Sequence, residues 1–257
     1  MEILVCVKRV PTVGGVLTLT ADQRAIDMKT SGFTISPHEE CAVEEAVRLV
    51  ERFGGSVTVA SLGPAAAEEQ LRACLALGAS AAVLLETPDG VETGPIATAA
   101  ALHALAAAGS FDLVLLGNEA SDTGGYQVGI RLAHLLGRPV ATGIKALSVS
   151  DDGTSLSASR TSRGVVETFT LPLPCVVTVK EGINRPRYPS LPGRLRAKRA
   201  SIGRAPVTDA AAVPVRDVQM TRLRVPDAPK KQATVLGHGP AAVPALVAVL
   251  AEIGVLS

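Results

Sequence analysis

Between Phe111 and Gly137 the chain reads FDLVLLGNEASDTGGYQVGIRLAHLLG, an apolar strand that runs into a polar, glycine-rich loop and leaves as a helix. Gly117, Gly124, Gly125 and Gly129 let the backbone come close to a ligand. The first N–H groups of a helix over Tyr126 to Leu136, with Val128 in its opening turn, favour a phosphate. Asn118, Asp122, Thr123 and Gln127 can add directional hydrogen bonds. The chemistry implied is capture of a nucleotide phosphate, with a purely structural turn as the alternative. No GxGxxG follows the first strand, and no GxxxxGK[ST] occurs anywhere, so an ordinary dinucleotide fingerprint and a P-loop are both excluded.

Such a loop must be delivered by a sheet. Strands are expected at ILVCV (Ile3 to Val7), VTVASL (Val57 to Leu62), AAVLL (Ala81 to Leu85) and DLVLLG (Asp112 to Gly117), with helices over Ser36 to Arg52, Pro64 to Leu77 and Gly94 to Ala108 between them. This alternation predicts right-handed crossovers and an open, mainly parallel sheet with helices on both faces, a Rossmann-like α/β core. Ligands of such sheets sit outside the carboxyl ends of the strands, where the glycine-rich loop falls. Ser36 as N-cap, Pro37 at N1 and Glu39 at N3 mark the first helix start as a capping box. Val16 to Asp27 reads as a hairpin beside the first strand. Beyond Gly137, IKALSVS, SLSASRT, VVETFTL and the apolar CVVTV read as antiparallel additions to the sheet.

A second group of residues lies in GINRPRYPSLPGRLRAKRASIGR, Gly182 to Arg204, which holds seven basic residues and no acid. Its prolines predict an extended course, with Leu191 exposed at the centre. A protein-docking loop is expected, leucine as anchor and arginines steering toward an acidic partner. A plain solvated loop is the alternative; nucleic-acid binding is disfavoured, since stacking aromatics are almost missing.

Composition narrows the remaining choices. Hydrophobic residues make up 47% and aromatics 2%, so the core is packed from Ala, Val and Leu. A formal charge of +1 excludes a globally basic nucleic-acid binder. Cys6, Cys41, Cys74 and Cys175 are widely spaced, and His38, His103, His134 and His238 lack ligand spacing, so neither a disulfide framework, a metal site nor a catalytic acid–base pair is expected. The start MEILVCVKRV reads as a first strand rather than a signal peptide, and no run is long enough to span a membrane, which points to the cytoplasm.

LVCVKRVP (Leu4 to Pro11), SPHEECAVEEAVRL (Ser36 to Leu49), GNEASDTGGYQVG (Gly117 to Gly129) and, most specifically, NRPRYPSLPGRLRAKR (Asn184 to Arg199) together resemble the β subunits of electron transfer flavoproteins, over nearly the whole chain and in the same order. The resemblance implies an obligate heterodimer with an α subunit that holds most of the redox FAD. It implies AMP as a structural nucleotide in this subunit, or, as in some members, a second FAD. By position the site comprises Cys6, Ser36, Leu62, Gly117, Asn118 and Asp122, Thr123, Gly124, Gly125, Tyr126, Gln127 and Val128. Arg187, Tyr188, Leu191, Pro192, Arg194, Arg196, Lys198 and Arg199 would form the loop that docks on acyl-CoA dehydrogenases and related flavoprotein dehydrogenases, with a membrane-bound quinone oxidoreductase as acceptor and no insertion of this chain into the membrane. Residues 1–181 would be the nucleotide-binding core, 182–204 the recognition loop and 205–257 an arm whose terminal helix, PAAVPALVAVLAEIG, wraps onto the α subunit. The family's usual Asn-Pro-Phe or Asn-Pro-Tyr is here Ser36-Pro37-His38, and an acidic residue common before Gly164 is Thr161. Two other classes compete: a free-standing adenine-nucleotide sensor, and a nucleotide-dependent ligase or dehydrogenase.

Overall fold

The computed structural model describes residues 1–12, 18–27, 32–91, 93–207, 221–225 and 233–256. The chain opens with β1 (Glu2–Cys6), a two-residue antiparallel pair β2 (Val10–Pro11) and β3 (Phe33–Thr34), and α1 (Pro37–Phe53). There follow β4 (Ser56–Gly63), α2 (Glu68–Leu77), β5 (Ala81–Glu86), α3 (Pro95–Ala108), β6 (Leu113–Gly117) and α4 (Val128–Leu136). Next are β7 (Val140–Ile144), β8 (Ala146–Val149), β9 (Ser155–Ser162), β10 (Val165–Pro172) and β11 (Cys175–Val179), then α5 (Leu191–Arg199), β12 (Gly203–Ala205) and α6 (Val243–Glu252).

Seven strands form a parallel sheet in the order β12-β5-β4-β1-β6-β11-β7. Its strands are continuous apolar runs because both faces are covered. Val5, Val59 and Leu115 face a layer made by α1 and α2, while Leu4, Ala60 and Val114 face α3 and α4 through Ala101, Leu102 and Leu132. The small residues of α3 let it lie close, which is how a core with so few aromatics fills its space.

The antiparallel additions are a separate three-stranded sheet, β10-β9-β8, packed through Val149, Leu156 and Ala158 on the α1 side of the main sheet. Against expectation, CVVTV is not among them. As β11 it lies inside the parallel sheet with all five residues buried, paired in register with β6 from Cys175↔Leu113 to Val179↔Gly117. The run VATGI, β7, also joins that sheet, and the strand in IKALSVS begins only at Ala146. Antiparallel order held only where β-hairpin turns connect the strands, as at Ser150 to Ser155.

The basic segment also departs from expectation: Leu191 to Arg199 is helical rather than extended. Ser190 caps it by accepting from Gly193 N at 3.1 Å, and Pro192 falls in the first turn, where a missing N–H costs nothing. In the expected hairpin, Leu19 bridges Ile26 antiparallel; Val16 and Leu17 lie outside the described residues.

By contacts the chain divides into Met1–Arg222 and Leu223–Ser257; β12 pairs with β5, and Ala205 and Val207 pack on the α3-side core. In the second unit α6 leaves Val243, Leu246 and Val247 about half exposed. No helix of the described residues is long and apolar enough to cross a membrane.

Candidate functional site

The chain builds β1, β4 and β5 outward in one direction, then returns through α3 to place β6 on the other side of β1. Strand order therefore reverses between β1 and β6, and the crevice position at which sheets of this kind bind ligands falls at their carboxyl ends. Cys6 pairs with Leu116 across this point, and the loop after Gly117 rises beside the turn after Cys6.

Three contacts tie the crevice together. Lys8 Nζ donates to Asp122 Oδ2 at 2.6 Å, joining the β1 turn to the glycine-rich loop. Ser36 Oγ donates to the Glu119 carbonyl at 3.4 Å, joining the α1 cap to that loop. Glu39 Oε2 accepts from Lys8 N at 3.1 Å and from Ser36 N at 3.2 Å, so the capping carboxylate also holds β1. Burial pushes the Glu39 carboxyl up to about 8, against the pull of those two N–H donors and the Lys8 charge.

Of the sequence-predicted residues, Cys6, Ser36, Leu62, Gly117, Asn118 and the 122–128 loop all fall at the carboxyl ends of the adjacent strands β4, β1 and β6 or at the α1 cap above them. Their roles differ. The Cys6 thiol is enclosed and raised to about 12 by burial and by Glu39. Leu62 packs partly on the α3-side core. Asn118 Oδ1 accepts from Thr178 Oγ1 at 2.8 Å, and Thr178 Oγ1 accepts from Gly143 N at 3.1 Å, linking the ends of β6, β11 and β7.

The glycines divide into two kinds. At Gly129 a Cβ would lie 2.4 Å from Thr178 Cγ2, and at Gly117 one would lie 2.7 Å from Glu39 Cγ. These two seat a helix on the sheet and a strand end on α1. Gly124 is left-handed at φ +55°, and a Cβ at Gly125 would meet nothing within 4 Å. Open space therefore lies over Gly125, beside the α4 N-terminus, whose first N–H groups have no partner inside the helix. Thr123 is exposed there, as is Tyr126, whose hydroxyl is raised in pKa by its hydrogen bond to Glu119.

Sequence reasoning missed Lys8, Glu119 and Arg131. Arg131 donates to Gln127 Oε1 through Nε at 3.2 Å and NH2 at 2.8 Å, which sets a second cation beside the loop. The i,i+4 spacing from Gln127 could have found it. His38 Nδ1 lies 3.9 Å from Glu119 Oε1, and burial lowers the imidazole pKa. Among the described residues no group of three His, Cys, Asp or Glu side chains could hold a metal ion.

The middle of the basic segment lies toward the opposite edge of the sheet. Gly193 sits against the Ala76 carbonyl at the end of α2, the end that leads into the amino terminus of β5. Tyr188 is 94% and Leu191 71% exposed, and Pro192, Arg194, Lys198 and Arg199 are exposed. Arg187 is already engaged by carboxylates, ion-paired to Glu44 and Glu51, whereas Arg196 is exposed and makes one hydrogen bond to a carbonyl, its NH2 donating to Leu75 O at 3.2 Å. Burial would raise the Glu44 carboxyl, but hydrogen bonds from Arg187 and Arg48 outweigh it and hold it below its ordinary value. A cavity of about 420 Å³ lies beside this segment, lined among others by Val47, Val50, Leu77, Arg187 and Arg196.

A family model described as the electron transfer flavoprotein domain matches residues 25–211. The chain belongs to this family. The protein called electron transfer flavoprotein subunit beta in Bacillus subtilis (strain 168) is 42% identical over 166 residues, 64% of each chain. The Bradyrhizobium diazoefficiens protein of that name is 36% identical over 212 residues, 81% of this chain and 83% of the relative. The Homo sapiens one is 36% identical over 205 residues, 79% and 80% of the two chains. The chain thus spans just under two thirds of the Bacillus relative and about four fifths of the other two. The family match covers the crevice loop, the Glu39 cap and the Arg187 segment alike.

Proposed function

We propose that this chain is the β subunit of a heterodimeric electron transfer flavoprotein, a cytoplasmic carrier between flavoprotein dehydrogenases, acyl-CoA dehydrogenases among them, and a membrane-bound quinone oxidoreductase. The observation that carries the nucleotide half of this reading is the crevice at the β1–β6 reversal, bridged by Lys8 and Asp122 under an open glycine turn. A structural AMP fits it. Backbone N–H groups from Gly125 to Val128 at the α4 N-terminus would hold the phosphate, the Gly124 N–H being bonded to the Ala120 carbonyl; Lys8 and Arg131 would balance the charge, and the free Asp122 oxygen would be available to a ribose hydroxyl.

The FAD held mainly by the α subunit supplies the redox chemistry when bound. This chain's own residues bind and orient. The crevice keeps the ends of β1, β6 and β11 in register through Glu39, Asn118 and Thr178. Leu191 anchors the electron donor at the far edge of the sheet, so docking and nucleotide binding occupy separate places on one rigid core.

Coexpression with an α-type partner tests this. A flavin visible spectrum is expected only in the copurified heterodimer, with about one adenine mononucleotide released per heterodimer on denaturation. A well-behaved chain that binds adenine nucleotide without a partner would indicate the sensor class instead; release of a second FAD would replace AMP in the crevice.

A further inference from the structure

The segment from Asn184 to Ala200 is fastened at both ends and bare in the middle. At the first end, Asn184 Nδ2 donates to the Cys41 carbonyl and to Glu45 Oε2, both at 2.9 Å, and Arg48 NH2 donates to the Arg185 carbonyl at 3.3 Å. Arg187 then spans two turns of α1: its Nε reaches Glu44 Oε2 at 2.9 Å, and its NH1 reaches Glu51 Oε1 at 2.5 Å. The Glu44 side chain is 3% exposed and takes the Arg187 backbone N–H as well, at 3.1 Å. At the second end, Arg72 NH1 donates to the Ala197 carbonyl at 2.7 Å and the Ala200 carbonyl at 3.1 Å, while Glu68 holds Arg72 at 2.6 Å. A cation on the last carbonyls of α5 is the favourable sign for a helix C-terminus. Between these fastenings Tyr188 and Leu191 project.

We propose that Arg187 is a positioning residue: gripped by Glu44 and Glu51, it fixes the Tyr188 to Leu191 projection in the shape that an electron-donating partner binds, without touching that partner. The inference rests on reading the projection as the docking surface. Its physical basis is preorganisation, since a segment ordered before encounter loses less freedom on association. The donors of Arg187 are already committed to two carboxylates, whereas Arg194, which among the described residues makes only its helix backbone bond, remains exposed for steering.

The test uses the heterodimer and measures electron delivery from a reduced acyl-CoA dehydrogenase across its concentration. Leu191→Ala, the baseline, is expected to raise the apparent KM roughly thirtyfold. Arg187→Gln should raise it about tenfold with kcat at saturation unchanged, Arg187→Lys should recover part of the loss, and the double variant with Leu191→Ala should be no worse than Leu191→Ala alone. Glu51→Gln, which removes the exposed arm of the grip and spares folding, should shift KM about threefold in the same direction. Hydrogen exchange at the Gly193 and Arg194 amides, which donate to Ser190 Oγ and the Ser190 carbonyl, should quicken in the partner-free heterodimer of Arg187→Gln. Additive losses in the double variant, an unchanged KM, or unchanged exchange would overturn the positioning role. A normal Leu191→Ala would instead remove the docking reading itself, so the two failures are distinguishable.

Discussion

Lys8 Nζ and Asp122 Oδ2 meet at 2.6 Å although 114 residues separate them in the chain. The pair closes the carboxyl edge of the sheet at the place where strand order reverses between β1 and β6. Its side chains are 42% and 21% exposed, so solvent screens it and its worth to folding is small, below about 1 kcal/mol. Asp122→Ala and Lys8→Met should therefore barely move the melting temperature of nucleotide-free heterodimer while lowering nucleotide retention. Equal retention by wild type and both variants, measured by chromatography of the released nucleotide, would remove the crevice as the site.

Glu39 makes stability depend on pH. Its folded value of about 8 lies above the ordinary 4.5, so the folded state holds more protons across that window. Stability is then greatest at the acid end and falls as pH rises from about 4.5 to about 8. Glu39→Gln keeps an acceptor for Lys8 N and Ser36 N and should flatten this dependence. Parallel melting-temperature profiles for wild type and variant between those limits would show that Glu39 does not titrate there.

Gly129→Ala should lift α4 from β11, because the added carbon would lie 2.4 Å from Thr178 Cγ2. Overpacking of this kind costs about 1–3 kcal/mol. Thr178→Ser removes that methyl and retains the hydroxyl that bonds Asn118. The double variant should regain most of the loss in thermal unfolding; no recovery would place the strain elsewhere.

Removal of residues 223–257 should leave a core that keeps its far-ultraviolet dichroism but fails to copurify with an α-type partner. The half-exposed Val243, Leu246 and Val247 of α6 are the apolar surface such a partner would cover. Normal assembly of the truncated chain would exclude that role for α6.

Arg194 is exposed on the first turn of α5. Arg194→Glu should slow association with the electron donor and flatten its salt dependence, with little change in the dissociation rate. Stopped-flow traces at low and high salt read both rates, and a change confined to dissociation would make Arg194 a direct contact instead.

Much of this protein follows from local pattern. The alternation of apolar strands and amphipathic helices up to Gly137 was sufficient for the parallel core, and the Ser36-Pro37 start of α1 was legible because capping is decided within four residues. The strand-to-loop-to-helix run after Asp112 likewise located the candidate crevice. What needed the tertiary structure were choices between partners distant in the chain. CVVTV reads equally as an edge addition or as an interior strand, and only the vacancy beside β6 makes it parallel β11. LPGRLRAKR, with a proline near its start and no apolar stripe, became helical because α2 offers a seat for Gly193 and Arg72 binds the carbonyls at its end. Glycines look alike in sequence, yet Gly129 is packed against Thr178 and Gly125 stands in open space. Arg187 and Arg194 belong to one run of basic residues, but the carboxylates of Glu44 and Glu51, two turns apart on α1, take the first and leave the second exposed. Short-range sterics and hydrogen bonding are written residue by residue, whereas burial and charge pairing depend on which distant surfaces the fold brings together.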